Sequence, residues 1–129
     1  MILDKIFYNK IQNDKIKSSL GDMTYKKLDC KTLKKVLNSY STLILKYNMY
    51  EDGTINNFLF SVDMALNNCE FTQVQLARLH MWFDGYTENE IAEVENVTRW
   101  VVSKSITAGC NKILIYLVKK GISWTFVSN

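Results

Sequence analysis

Six side chains in the last third of the chain, Arg99, Trp100, Ser103, Lys104, Thr107 and Asn111, recur at spacings of three and four. On an α-helix that spacing gathers them into one polar stripe. Their chemistry is that of hydrogen bonding to a nucleic acid. A guanidinium or ammonium can donate to guanine O6 and N7 or to phosphate, a carboxamide can pair with adenine, and hydroxyls can meet bases or phosphate. Trp100 stands at an exposed-face position, either to touch DNA or to dock on the amino-terminal helices.

The residue types for other chemistry are missing or scattered. His80 is the only histidine and reads as a partly buried helix residue; no P-loop, GxGxxG, HExxH or nucleophile elbow is present. We expect no catalytic residue and no enzyme. Cys30, Cys69 and Cys110 stand about forty residues apart without a CxxC pair, which fits neither a disulfide framework nor a zinc site. Reduced, buried thiols, with no metal and no cofactor, are expected.

The stripe needs elements to hold it. Three times an apolar or aromatic residue precedes a threonine and an apolar residue follows four positions later: Phe71-Thr72 with Leu76, Tyr86-Thr87 with Ile91, and Val97-Thr98 with Val102. This is the pattern of a hydrophobic staple, with Thr72, Thr87 and Thr98 as N-caps; Thr72 with Gln75 and Thr87 with Glu90 also read as capping boxes. The spacing predicts helices over 72–84, ended by Gly85, over 87–95, and over 98–120. Only Asn96-Val97 joins the last two, and asparagine tolerates the left-handed backbone that such a turn requires. A short helix, a tight turn and a longer helix make a helix-turn-helix. Ile91, Ala92, Val97, Val102 and Ile106 would pack the two helices and leave the stripe outward, its first half suited to a major groove.

The stretch FTQVQLARLHMWFDGYTENEIAEVENVTRWVVSKSI resembles the region 4 helix-turn-helix of bacterial sigma factors, and the region-4-like domains of small phage transcriptional regulators of the ArpU and RinA kind. The matching features are Phe71-Thr72, Phe83-Asp84-Gly85, Thr87 followed by Glu90-Ile91-Ala92-Glu93, and Val97-Thr98. The resemblance implies promoter binding through Arg99, Trp100, Ser103 and Lys104, with RNA polymerase as a further partner. Three departures stand out: Glu95 for an apolar residue, Asn96 for the turn glycine, and the uncharged Ser105 to Asn111 where the family is arginine-rich. Fewer phosphate contacts follow, so the motif would call on the amino-terminal lysines, a second copy of the chain or polymerase to stay on DNA. The chain lacks an aromatic-rich promoter-melting segment, which points to an accessory regulator rather than a complete sigma factor.

Upstream, Leu33, Val36, Leu37, Tyr40, Leu43, Ile44 and Tyr47 mark one long amphipathic helix with Lys31, Lys34, Lys35 and Lys46 on its other face. The lysine run Lys26, Lys27, Lys31, Lys34 and Lys35 reads as a solvated face or as a second DNA-backbone or acidic-partner surface. After Asp52-Gly53, Thr54 is placed to cap a helix burying Ile55, Phe58, Leu59, Val62 and Leu66. Gly21, Gly53, Gly85 and Gly121 punctuate the chain. With no proline and five glycines in 129 residues, the fold class is all-α, about six helices. We divide it into an amino-terminal helical segment over 1–69, for interaction or oligomerisation, the helix-turn-helix over 70–121, and a tail over 122–129. The tail, carrying Ile122, Trp124, Phe126 and Val127, is a dimer contact or a lid on the core.

Charge is sorted along the chain: ten lysines against four aspartates in 1–47, Arg78 against nine acids in 48–95, and five cations with no acid in 96–129. An acid-free final third suits a polyanion. Among the acids, Glu88, Glu90, Glu93 and Glu95 crowd a helix amino terminus, and Glu93 and Glu95 are candidates to face a basic partner. The longest apolar run, Ile113 to Val118, is far too short for a bilayer span, and the start MILDKIFYNK lacks a signal-peptide pattern. We expect a cytoplasmic protein with no membrane partner. The leading expectation is a phage- or prophage-encoded, sequence-specific regulator of transcription bound to double-stranded DNA. The alternative is a small helical adaptor that keeps this fold and binds a host protein.

Overall fold

The computed structural model of the chain describes residues 23–47 and 54–128. Among them are six α-helices, α1 (Cys30–Leu37), α2 (Tyr40–Tyr47), α3 (Thr54–Asn68), α4 (Gln73–Phe83), α5 (Glu88–Glu95) and α6 (Arg99–Lys119), and two strands, β1 (Met23–Lys27) and β2 (Trp124–Ser128). Gly21 and Gly53 lie outside the described residues, as do the side chains of Lys46 and Ile55.

The fold is all-α, with α6 at its centre. Val102, Ile106, Cys110, Ile113 and Leu117 on one side of α6 are fully buried, and α1, α3, α4 and α5 all pack against it. The core around them takes Leu33 and Leu37 from α1, Phe58 and Val62 from α3, Leu79 and Phe83 from α4, and Ile91 and Ala92 from α5. Each large side chain withdrawn from water contributes about 1.5–3 kcal/mol, so this stripe fixes the rotation of α6 and thereby which residues remain outside. Segments from both sides of residue 70 share that single core. By length and composition alone α6 would suit a membrane span; in the fold 33% of that stretch is buried, on the side that meets four neighbouring helices.

The helix starts follow the caps. Asp29 accepts from Thr32 N at 2.7 Å, Thr72 from Gln75 N at 3.0 Å, Thr87 from Glu90 N at 3.1 Å and Thr98 from Val101 N at 3.3 Å. At Thr87 the box is complete, with Glu90 accepting from the Thr87 amide at 2.8 Å. At Thr72 it is not. The buried Gln75 turns inward, donates to Ser105 O at 3.3 Å and accepts from Lys112 at 3.0 Å, because a buried amide finds better partners on α6 than at its own helix end.

One further expectation is corrected. The single helix expected across 33–47 is two, α1 and α2, parted at Asn38-Ser39. The Asn38 side chain is drawn off to donate to Trp82 O at 2.8 Å and Tyr86 O at 3.1 Å, satisfying carbonyls at the end of α4. The tail, expected as a dimer contact or a lid on the core, forms β2, antiparallel to β1 with Tyr25 opposite Phe126 and Lys27 opposite Trp124. Ile122 and Thr125 are buried, and the Trp124 ring lies 5.7 Å from that of Phe58, so the tail covers the core of its own chain.

Candidate nucleic-acid interface

The turn that aims α6 is set by one residue. Asn96 has φ 55° and ψ 48°, left-handed, and is the only non-glycine at positive φ among the described residues. Val97 N donates to Ala92 O at 3.0 Å across the turn. The glycine expected there from the resemblance is replaced by the residue that tolerates this backbone best after glycine. Glu95, another of the departures, accepts from Arg78 Nε at 2.7 Å and so ties the end of α5 to α4.

The six stripe residues divide into two groups. Trp100 is 67% exposed, and Arg99, Lys104 and Asn111 are exposed as well. The Lys104 ammonium sits 4.7 Å from the Trp100 ring centroid, one helical turn away, a cation–π contact that holds both on the same side. Trp100 therefore does not dock on α1 or α2. Ser103 and Thr107, by contrast, are half-buried: Lys34 Nζ of α1 donates to Thr107 Oγ1 at 3.0 Å and lies 3.5 Å from Ser103 Oγ. Their placement in a free stripe is corrected, because α1 packs along that flank of α6. The open sector is centred on Trp100, Lys104 and Asn111, with Ala108 exposed between them.

Lys34 and Glu88 complete the site, and the spacing on α6 did not point to either. Glu88, the first residue of α5, has a side chain only 10% exposed; its carboxylate meets Lys34 Nζ at 2.7 Å and Arg99 Nη2 at 3.3 Å. It thus links α1, α5 and α6 where the exposed sector of α6 begins. Burial alone would raise its pKa, but hydrogen bonds from Lys34 and Ser103 and the charges of Lys34 and Arg99 outweigh that, holding the carboxyl below its ordinary value. The signal available in the sequence was local: a glutamate at the first position after an N-cap and a lysine on the amphipathic helix. Their meeting is tertiary.

The uncharged Ser105 to Asn111 segment is the part of α6 pressed hardest against its neighbours. Ile106, Gly109 and Cys110 are buried, and a Cβ on Gly109 would come within 2.8 Å of Leu79 Cδ1. Charge at those three positions would be buried, whereas Ala108 and Asn111 face outward without charge. Among the described residues no group of histidine, cysteine and carboxylate side chains could hold a metal ion. Cys30, Cys69 and Cys110 are free thiols, Cys110 buried and the other two half-buried. His80 is exposed on α4 rather than partly buried, its ring edge-on to Phe83 at 6.3 Å. No family model, curated protein or solved structure matches the chain.

Proposed function

We propose that the chain is a sequence-specific DNA-binding regulator of transcription, not an enzyme, that reads the major groove with the first half of α6. The observation that carries this is the exposed set Arg99, Trp100, Lys104 and Asn111 on a rigid helix whose entry is fixed by Thr98 and the left-handed Asn96 turn. Side chains on a helix anchored along its opposite side arrive pre-ordered, which lowers the entropy lost on binding. Arg99 and Lys104 supply donors for guanine or phosphate, Asn111 a bidentate partner for adenine, and Ala108 an apolar contact for a thymine methyl. Ser103 and Thr107 act through Lys34 rather than on bases. RNA polymerase and a second copy of the chain remain partners under this reading.

The test is selection of duplexes from a random pool, followed by titration of the enriched sequence. Arg99→Ala should cost about 1–3 kcal/mol and relax preference at one position, whereas Lys104→Ala should weaken all sequences alike and make the salt slope shallower by roughly 0.9. A chain that enriches no sequence and ignores both substitutions is not this regulator.

One observation favours the adaptor reading. Ile115 and Val118, on the second half of α6, and Phe60 on α3 are large apolar side chains left more than half exposed, as protein-contact surfaces often are. An adaptor would bind its partner with little dependence on salt and none on nuclease treatment.

A further inference from the structure

The flank of α6 beside the open sector is α1, and the two run antiparallel: Lys34 meets Ser103 and Thr107, while Leu28, just before α1, donates its N–H to Ser123 O, just past the end of α6, at 3.0 Å. The buried side of α1 is Leu33, Val36 and Leu37. Lys34 lies at the edge that touches α6, and Lys31 and Lys35, one turn before and one residue after it, are exposed outward. Among the described residues, no carboxylate lies within ion-pair distance of Lys31, Lys35 or Lys104. Asp29, the nearest acid in sequence to Lys31, is occupied in capping Thr32 N.

Packed helices have axes about 8–10 Å apart, and the major groove is about 12 Å wide. With α6 in the groove, its neighbour α1 is carried over the sugar-phosphate strand that walls it. α5, which meets both helices at Glu88, exposes Glu90 and Glu93 and supplies no cation. Ser105 to Asn111 leaves α6 short of phosphate contacts, and α1 has the cations to replace them.

We infer that α1 is a second DNA-contacting element, with Lys31 and Lys35 bound to phosphates of the strand flanking the groove that α6 enters; this rests on the DNA-reading function proposed above. Lys34 takes no part in that contact. It joins α1 to α6 and to Glu88, so that the clamp and the reading face move as one body.

The experiment is fluorescence anisotropy of a labelled duplex over a series of salt concentrations, using the full chain. Proteins compared are the wild type, Lys31→Gln/Lys35→Gln, Lys31→Arg/Lys35→Arg and Arg99→Ala, on both a selected and a random sequence. Losing two phosphate contacts should make the slope of log affinity against log salt shallower by about 1.8, and lower affinity ~60-fold near 0.1 M salt, equally for both sequences. The arginine pair should retain wild-type affinity and slope, and both lysines are exposed, so circular-dichroism melts should coincide. A glutamine pair that binds like wild type, while Arg99→Ala still weakens binding, overturns the clamp and leaves the DNA reading standing. A loss confined to the selected sequence overturns the phosphate assignment. If the wild type binds neither duplex in a salt-dependent way, both fall together.

Discussion

Glu88→Gln tests the junction that ties the exposed sector of α6 to α1 and α5. The substitution keeps size and one acceptor oxygen but removes the charge that faces Lys34 at 2.7 Å and Arg99 at 3.3 Å. The Arg99 pair contributes little, because that side chain is 66% exposed and screened. The Lys34 pair dominates. Breaking a fully buried pair costs about 3–5 kcal/mol, but Lys34 is 21% exposed, keeps Thr107 as an acceptor and can turn its ammonium toward water. We therefore expect a loss of about 1–2 kcal/mol, which for a domain of this size lowers the melting temperature by roughly 3–10 °C. The sign with pH is fixed as well. The folded Glu88 has a lowered pKa, so its contribution is fully present above the unfolded value of about 4.3 and disappears as pH falls through the lowered folded value. Thermal melts from neutral pH downward should show a gap between wild type and variant that is constant at neutral pH and closes below about pH 4. A gap that does not change with pH, or no gap at neutral pH, would refute the reasoning.

Gly109→Ala places a methyl about 2.8 Å from Leu79, itself fully buried; overpacking of about 1–3 kcal/mol outweighs a helix-propensity gain of about 1 kcal/mol. Urea unfolding should show a net loss that a smaller residue at position 79 partly rescues. At Asn96, held at φ 55°, glycine should be tolerated within about 0.5 kcal/mol while valine costs roughly 1–2 kcal/mol in the same assay. Thr87→Ala, removing one half of a complete capping box, should cost about 1 kcal/mol in thermal or urea unfolding. Burial pushes the Cys110 thiol up to about 12, so at mildly alkaline pH alkylation followed by mass spectrometry should find Cys110 unmodified until the protein unfolds, after Cys30 and Cys69 have reacted.

Much of the frame was written locally. The three threonine caps, the left-handed Asn96 and the apolar spacing on α6 are features whose energies come from groups within four or five residues of one another, so the sequence alone determined where α4, α5 and α6 begin and which side of α6 is buried. The exposure of Arg99, Trp100, Lys104 and Asn111 followed from that same periodicity. Contacts between residues far apart in the chain were decided elsewhere. Lys34 reaches Ser103 and Thr107 across about seventy residues, Gln75 leaves its own helix end for Ser105, and Asn38 splits one amphipathic stretch into α1 and α2 to serve carbonyls of another helix. β1 and β2, at opposite ends of the described chain, carry no turn signal between them, and each backbone finds its hydrogen bonds only in the other. Periodicity states which side of a helix prefers to be covered; only the assembled core decides which neighbour covers its margins, and here α1 took two of the six stripe residues that α6 would otherwise present.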